Sequence, residues 1–441
     1  MSVSAAALRN SDLDAVLTEA KEGFTRARPE CLARHVEATA VMPGGNTRSV
    51  LFHGPFPIAV ARGEGATIWD ADGHRYVNLV GEYTAGMFGH SHPAIRAAIN
   101  RALDTGLNLS AHNLFEAKFA RAVVDRFPAL ESVRFTNSGT EANLMAVATA
   151  VAATKRRTVL VFQAGYHGGL MTFAGGGSPV NVPHHFVLAT YNDIEGTVAL
   201  AREHAADLAA ILLEPMQGGA GCIPATVDFL KALRAVADET GAQLIFDEVM
   251  TSRLSPGGLH GLHGVIPDLL TLGKYIGGGM SFGAFGGRAA LMAMYDPRDA
   301  KALPHAGTFN NNTMTMSAGL TAITELYTPE VCAALNARGE ALRGRLNAAA
   351  TRSGLAMQAT GLGSMINLHP VAGPIGHAGD LKNADPRIRD LLFLDMLERG
   401  FYLARRGFVA LSMMVTQQEC DAFADAFADW LEARAAVLPK A

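Results

Sequence analysis

Apolar and polar positions change rhythm three times along the chain. Residues 11 to 35 are charged and helical in pattern, which predicts an N-terminal helical segment. The stretch PFPIAVARGEGATIWDADGHRYVNLV then gives three short strands broken by Gly-Glu-Gly and Asp-Gly turns, a small antiparallel meander. From about 93 to 290 helical stretches alternate with short apolar runs: SVRFTNSG, TVLVFQAG, AAILLEP, QLIFDEV and LLTLGK. Strands that alternate with helices predict an α/β domain with a mainly parallel sheet. After about 326 come two helical stretches (329–353 and 385–399), strand-like pieces and a last helix from 416. That pattern predicts a second, α+β domain. The expected division is an N-terminal segment 1–76, a large domain 77–325 and a C-terminal domain 326–441, with the two chain ends together forming the small domain.

Ligands of open α/β sheets sit at the carboxyl ends of the strands. Each apolar run here ends in polar or glycine residues: Asn137-Ser138-Gly139, Gly165-Tyr166-His167, Glu214, Asp247-Glu248 and Lys274. Those residues are expected on one rim.

Composition narrows the field. The chain has 441 residues, 49% apolar and 18% charged, with a net charge of −4. It offers no basic excess for nucleic acid. Its four cysteines (Cys31, Cys222, Cys332, Cys420) lie far apart, against a zinc site or a disulfide framework and in keeping with a reducing compartment. The N-terminal MSVSAAALRNSDLDAVL lacks the basic and apolar regions of a signal peptide. No apolar run reaches the roughly 18 residues of a membrane span. The expectation is a soluble, cytoplasmic protein.

Several rim residues carry chemistry. Lys274 ends an apolar run and is followed by glycines, a setting in which desolvation lowers a lysine's pKa and makes it a nucleophile. Ser138, Gly139 and Thr140 fall where a strand turns into a helix, and free N–H groups there bind phosphate. An ordinary Ser cap fits the same residues, and the two readings are compatible. Asp247 is placed to hold a cationic ring nitrogen, or to cap a turn. Tyr166, between glycines, is placed to stack on a flat cofactor, or to tip a turn. Arg48 and the pair Arg405-Arg406 suit carboxylates, or structural ion pairs.

Two motifs are decoys. GMSFG, residues 279 to 283, matches GxSxG, but a nucleophile elbow needs a strand before Ser281 and a helix after it. Glycines precede Ser281 and the strand-like FGAFGG follows. His90 and His92 in GHSHP lack further ligands, so a loop near the site is expected, not a metal.

The order of these features is specific. WDADGHRYVN, NSGTEANLMA, YHG, EPMQG, IFDEVMTSR, TLGKYIGGGMSFGAFGG and GTFNNNTMTM together resemble the class III aminotransferases, which use pyridoxal 5'-phosphate (PLP). The likeness spans residues 43 to 320 and continues more weakly to the C-terminus. It implies the PLP fold type I, with a seven-stranded, mainly parallel sheet and a smaller α+β domain. It implies a homodimer.

The resemblance also assigns roles. Lys274 becomes the Schiff-base lysine and proton carrier, and Asp247 the partner of the pyridine nitrogen. Ser138, Gly139 and Thr140 hold the phosphate, with Thr308 reaching across the dimer interface. Tyr166 and Val249 cover the two ring faces, and Gln217 lies near the phenolic oxygen. His167 and Glu214 join the cofactor residues. Arg48 is the expected clamp for a β-amino acid carboxylate. Arg406 serves a second carboxylate or swings aside, and Tyr83 lines the pocket. VMPGGNTRSV looks like the glutamate-1-semialdehyde aminomutase branch, which usually reads Asn-Ser-Pro-Val-Arg there. GGNTRSVLFHGPFP, GEYTAGMFGHS and RGFVALS look closer to the β-phenylalanine aminotransferase branch. The expectation is therefore an aromatic β-amino acid donor and a 2-oxoglutarate acceptor in a ping-pong cycle. The aminomutase, or another class III ω-amino acid or amine transaminase, stands as the alternative.

Overall fold

The computed structural model describes residues 12–441. Two helices open it, α1 (Leu13–Ala27) and α2 (Pro29–Thr39), where the pattern predicts one segment. Pro29 has no N–H to bond back into α1, so the first helix stops and the second begins with proline in its first turn. Residue 11 and most of the N-terminal stretch read against a signal peptide lie outside the described residues. The predicted meander is present as β1 (Val60–Glu64), β2 (Thr67–Asp70) and β3 (Arg75–Asn78), antiparallel throughout.

The helices α3 (Pro93–Thr105) and α4 (Glu116–Arg126) lead into the large sheet. Its strands are β4 (Ser132–Thr136), β5 (Thr158–Phe162), β6 (His185–Ala189) and β7 (Leu208–Leu213). After a two-residue ribbon, β8 (Met216–Gln217) and β9 (Ile223–Pro224), come β10 (Gln243–Asp247), β11 (Leu269–Gly273) and β12 (Gly283–Gly287). The spatial order is β4-β12-β11-β10-β7-β5-β6. Only β12 runs antiparallel to its neighbours. The five apolar runs became β4, β5, β7, β10 and β11. Strands β5, β7 and β11 are buried along their whole length, which explains their near-continuous apolar sequence. The helix α5 (Gly139–Thr154) is apolar nearly all round and lies across β7, β10, β11 and β12.

Beyond the sheet, helices Pro329–Ser353, Pro386–Glu398 and Gln417–Ala433 occupy the predicted stretches. Strands β13 (Gln358–Leu362) and β14 (Met365–His369) pair antiparallel. The next strand, β15 (Phe401–Tyr402), leaves them and adds to the edge of β3 in parallel, and β16 (Phe408–Ala410) returns to β14. The two ends of the chain also share apolar packing: Val16, Leu17 and Phe24 of α1 cluster with Tyr76, Phe393 and Leu394. Each such fully buried side chain contributes about 1.5–3 kcal/mol. No helix among the described residues is long and apolar enough to cross a membrane.

Candidate active site

Strands β4, β5, β7, β10 and β11 point the same way, so their carboxyl ends form one rim. A cavity of about 490 Å³ opens there, lined among others by Ser138, Thr140, Tyr166, Glu214, Asp247 and Lys274. Gly139, His167, Val249 and Arg48 line it too.

Lys274 is the first residue after β11 and is half-buried. Its φ of +56° is left-handed, a conformation that costs an L residue about 1–2 kcal/mol. Such strain survives where the surroundings over-determine it: Tyr275 and Ile276 behind it are fully buried. Its ammonium makes no hydrogen bond or ion pair among the described residues. Burial lowers its pKa from the ordinary lysine range. Asp247 and Glu214 act against that shift, while Arg48 and Arg406 add to it. A lysine held this way favours the neutral, nucleophilic amine.

Asp247 closes β10 and is buried. Its Oδ2 lies 2.8 Å from His167 Nδ1 and accepts from Asn143 Nδ2 at 2.8 Å. Its Oδ1 accepts from the Val249 N–H at 3.0 Å. Asn143 in turn donates to His167 O at 3.2 Å and accepts from Thr271 Oγ1 at 2.6 Å. The carboxylate is thus fixed from three sides. Asn143 was not among the sequence candidates. Its signal was available: it is the one polar side chain between Glu141 and Thr149 on an apolar helix. The neighbouring Glu248 has a structural part only, accepting from the N–H groups of Leu259 and His260 and pairing with His260 Nδ1 at 2.7 Å.

Ser138 caps α5, its Oγ accepting from the Glu141 N–H at 3.1 Å. The cap reading therefore holds. The N–H groups of Gly139 and Thr140 have no partner among the described residues, so the anion-binding end of the helix is open as well. Gly168, with φ +109°, passes so close that a β-carbon on it would sit 2.2 Å from Thr140 Oγ1.

Glu214 follows β7. It accepts from the Tyr166 N–H and the Gly218 N–H, both at 3.1 Å. Burial, with the nearby Asp247 adding to it, pushes its carboxyl up to about 7, against the pull of His167. Tyr166 leaves about half its surface exposed at the mouth. Val249 packs directly against Gly139 and Gly273, where a β-carbon would come within 2.8 Å and 3.1 Å of its Cγ1. Gln217 is buried behind this wall. Its Nε2 donates to Gln163 O at 3.0 Å, and its Oε1 has no partner.

The arginines separate cleanly. Arg405 is bound to Asp390 at the surface, so it is a structural ion pair. Arg406 lies beside two rings, its Cζ 5.3 Å from the Tyr83 centroid and 5.2 Å from that of Phe408. Tyr83 and Phe408 stack at 5.7 Å. Arg48 pairs with Glu82. Thr308 is not brought to this cavity by its own chain. It is exposed and borders a separate recess with Asn108 and Phe309.

The other motifs resolve. Ser281 touches the cavity, but a 3₁₀ turn (Lys274–Gly277) precedes it and β12 follows, so the elbow geometry is absent. His92 caps α3 and His90 bonds to Asn78.

These residues meet the demands of PLP one by one. An open helix end suits the phosphate, a fixed carboxylate the ring nitrogen, and an unpaired lysine the aldehyde. Comparison with known proteins agrees. Residues 52–431 match the model of the aminotransferase class-III family. The chain is 50% identical over 434 residues to a beta-phenylalanine transaminase from Variovorax paradoxus, covering 98% of this chain and 100% of that one. A solved beta-phenylalanine aminotransferase from Variovorax paradoxus superposes with a TM-score of 0.96 at 51% identity, over 98% and 100% of the two chains. A transaminase solved with PLP bound follows at a TM-score of 0.85 and 32% identity, over 92% and 98%. With the rim geometry and these likenesses in agreement, the chain belongs to the class III aminotransferases, enzymes of PLP fold type I that work with pyridoxal 5'-phosphate.

Proposed function

We propose that the enzyme moves the amino group of an aromatic β-amino acid of the β-phenylalanine type to 2-oxoglutarate, in ping-pong order. The carrying observation is the pair of arginines, Arg48 and Arg406, set around the Tyr83–Phe408 ring stack within electrostatic reach of Lys274. A β-amino acid needs one cation for its carboxylate and an apolar wall for its ring. A dicarboxylic acceptor needs two cations. The likeness to the Variovorax enzyme supports the same reading.

Bound PLP supplies the electron sink for the charge that develops at the substrate carbon. The chain does the rest. Ser138, Gly139 and Thr140 hold the phosphate at the helix end, and Thr308 of a second copy reaches it across a homodimer interface. Asp247, fixed by Asn143, His167 and its own Val249 N–H, faces the ring nitrogen. Tyr166 and Val249 cover the ring faces. Lys274 Nζ, with its pKa lowered by burial, takes the proton from the substrate carbon and returns it on the way to product. Arg48 binds the carboxylate and so orients that carbon. Arg406 takes the second carboxylate of 2-oxoglutarate.

The test is the visible spectrum of the purified enzyme with racemic β-phenylalanine. The expected result is loss of the bound cofactor's visible band and its recovery on adding 2-oxoglutarate. A spectrum indifferent to β-phenylalanine but responsive to glutamate-1-semialdehyde would overturn the reading in favour of the aminomutase.

A further inference from the structure

The proposed carboxylate clamp already holds a carboxylate. Glu82 Oε1 pairs with Arg48 Nη1, and the Glu82 side chain makes no other hydrogen bond or ion pair among the described residues. The Arg48 guanidinium has no other acidic partner there; its second neighbour is the Tyr83 ring, 5.7 Å from Cζ to centroid. Arg406 differs. Its guanidinium makes no hydrogen bond among the described residues, and its Nε is buried without a partner. One arginine of the site is neutralised at rest and the other is not.

An unusual backbone delivers Glu82. Gly81, Glu82, Tyr83 and Thr84 have φ values of 52°, 48°, 51° and 82°. Glu82 and Tyr83, at the centre of this turn, are left-handed in both angles, with ψ of 41° and 46°, a conformation that L side chains disfavour. The turn is held on all sides. A β-carbon at Gly81 would lie 2.6 Å from the Ala410 carbonyl oxygen, so only glycine fits against β16. Tyr83 N–H donates to Val80 O at 3.0 Å, and Gly86 N–H to Gly81 O at 2.9 Å. The Tyr83 ring stacks on Phe408. The same turn therefore presents an acid and a ring to one guanidinium. With side chains 43% and 58% exposed, the Arg48–Glu82 pair adds little to stability. Its consequence falls on whatever else approaches Arg48.

We propose that Glu82 is a positioning residue that competes with the substrate carboxylate for Arg48, and so sets the preference between amines with and without a carboxylate. The inference rests on the reading of Arg48 as the clamp. A carboxylate substrate must break or share the Arg48–Glu82 pair. An amine without a carboxylate leaves the pair intact and meets a compensated charge. Glu82 thus narrows the gap between the two classes of donor.

The experiment compares β-phenylalanine with 1-phenylpropylamine, which has the same skeleton but a methyl in place of the carboxylate. Glu82→Gln keeps the shape and removes the charge. Its KM for β-phenylalanine is expected to fall about two- to fivefold, with kcat changed less than twofold. Its KM for 1-phenylpropylamine should move less than twofold. Glu82→Asp, which keeps the charge, should return KM for β-phenylalanine toward that of the wild type. A KM for β-phenylalanine that rises in Glu82→Gln, or that moves in step with that for 1-phenylpropylamine, overturns the competition. A wild type whose preference for the carboxylate survives in Arg48→Ala overturns the clamp itself, and this inference with it.

Discussion

Asn143→Leu removes the amide that steadies Asp247 while keeping its branched shape and number of heavy atoms. Asn143 Nδ2 donates to Asp247 Oδ2 at 2.8 Å, and all of Asn143, Asp247, His167 and Thr271 are buried. A hydrogen bond to a carboxylate contributes about 1.5–3 kcal/mol. If that energy is felt while Asp247 faces the ring nitrogen, kcat/KM falls by about 10- to 150-fold. The diagnostic step is the same substitution in an Asp247→Asn background. There the amide meets a neutral partner, and the loss should shrink to about fivefold or less. The assay is the single-turnover half-reaction with β-phenylalanine, read from the bound cofactor's absorbance, as a double-mutant cycle. Equal fold losses in the two backgrounds would refute the argument: Asn143 would then act on the site through Thr271 or His167, independently of Asp247.

Two further outcomes follow from the site. Gly168→Ala forces a β-carbon to within 2.2 Å of Thr140 Oγ1 at a φ of +109°; overpacking and strain together of about 2–5 kcal/mol should weaken PLP at least tenfold, and an unchanged Kd by absorbance titration would remove Thr140 from the phosphate site. Glu214 is held protonated up to a pH of about 7 against an ordinary value of 4.5; the folded state binds the extra proton between those limits, so its stability falls as pH rises through that window and levels off above it. Glu214→Gln abolishes this dependence, so the variant's stability relative to the wild type should climb by up to ~3 kcal/mol from pH 4.5 to 7; a melting-temperature offset that stays constant across the window contradicts the shift.

The rim was legible because it obeys a rule of long range: apolar runs buried on both faces end in polar residues on one side of a parallel sheet. Asp247, Glu214 and Lys274 follow it, and so does the open turn at Ser138. Direction was less legible. FGAFGG reads as a strand, but nothing in its glycines says that β12 runs against its neighbours. Strand β6 escaped because it is an edge, with His185 exposed and its middle half-buried, which blurs its apolar run. Glu82 escaped for another reason. Its position against Arg48 depends on a left-handed turn, and only the glycine at its head hints at that in sequence. Arg405 and Arg406 are neighbours in sequence with opposite fates, decided by which face of a two-residue corner meets Asp390. Pro29 was visible, yet the charged pattern ran on across it.

The pairing of β15 with β3 has a consequence for how the chain matures. Val77 sits opposite Phe401, so the N-terminal meander receives its last strand from a segment made roughly 320 residues later. On a ribosome adding about 5–20 residues per second, that is a wait on the order of 15 to 65 s. Through it one edge of β3 stands with unmet N–H and C=O groups, and the apolar faces of Phe24, Phe56 and Tyr76 lack the Pro386–Glu398 helix that later covers them. Open edges of this kind recruit other strands. The newborn chain therefore spends most of its synthesis with a sticky margin, open to other strands until its own last one arrives.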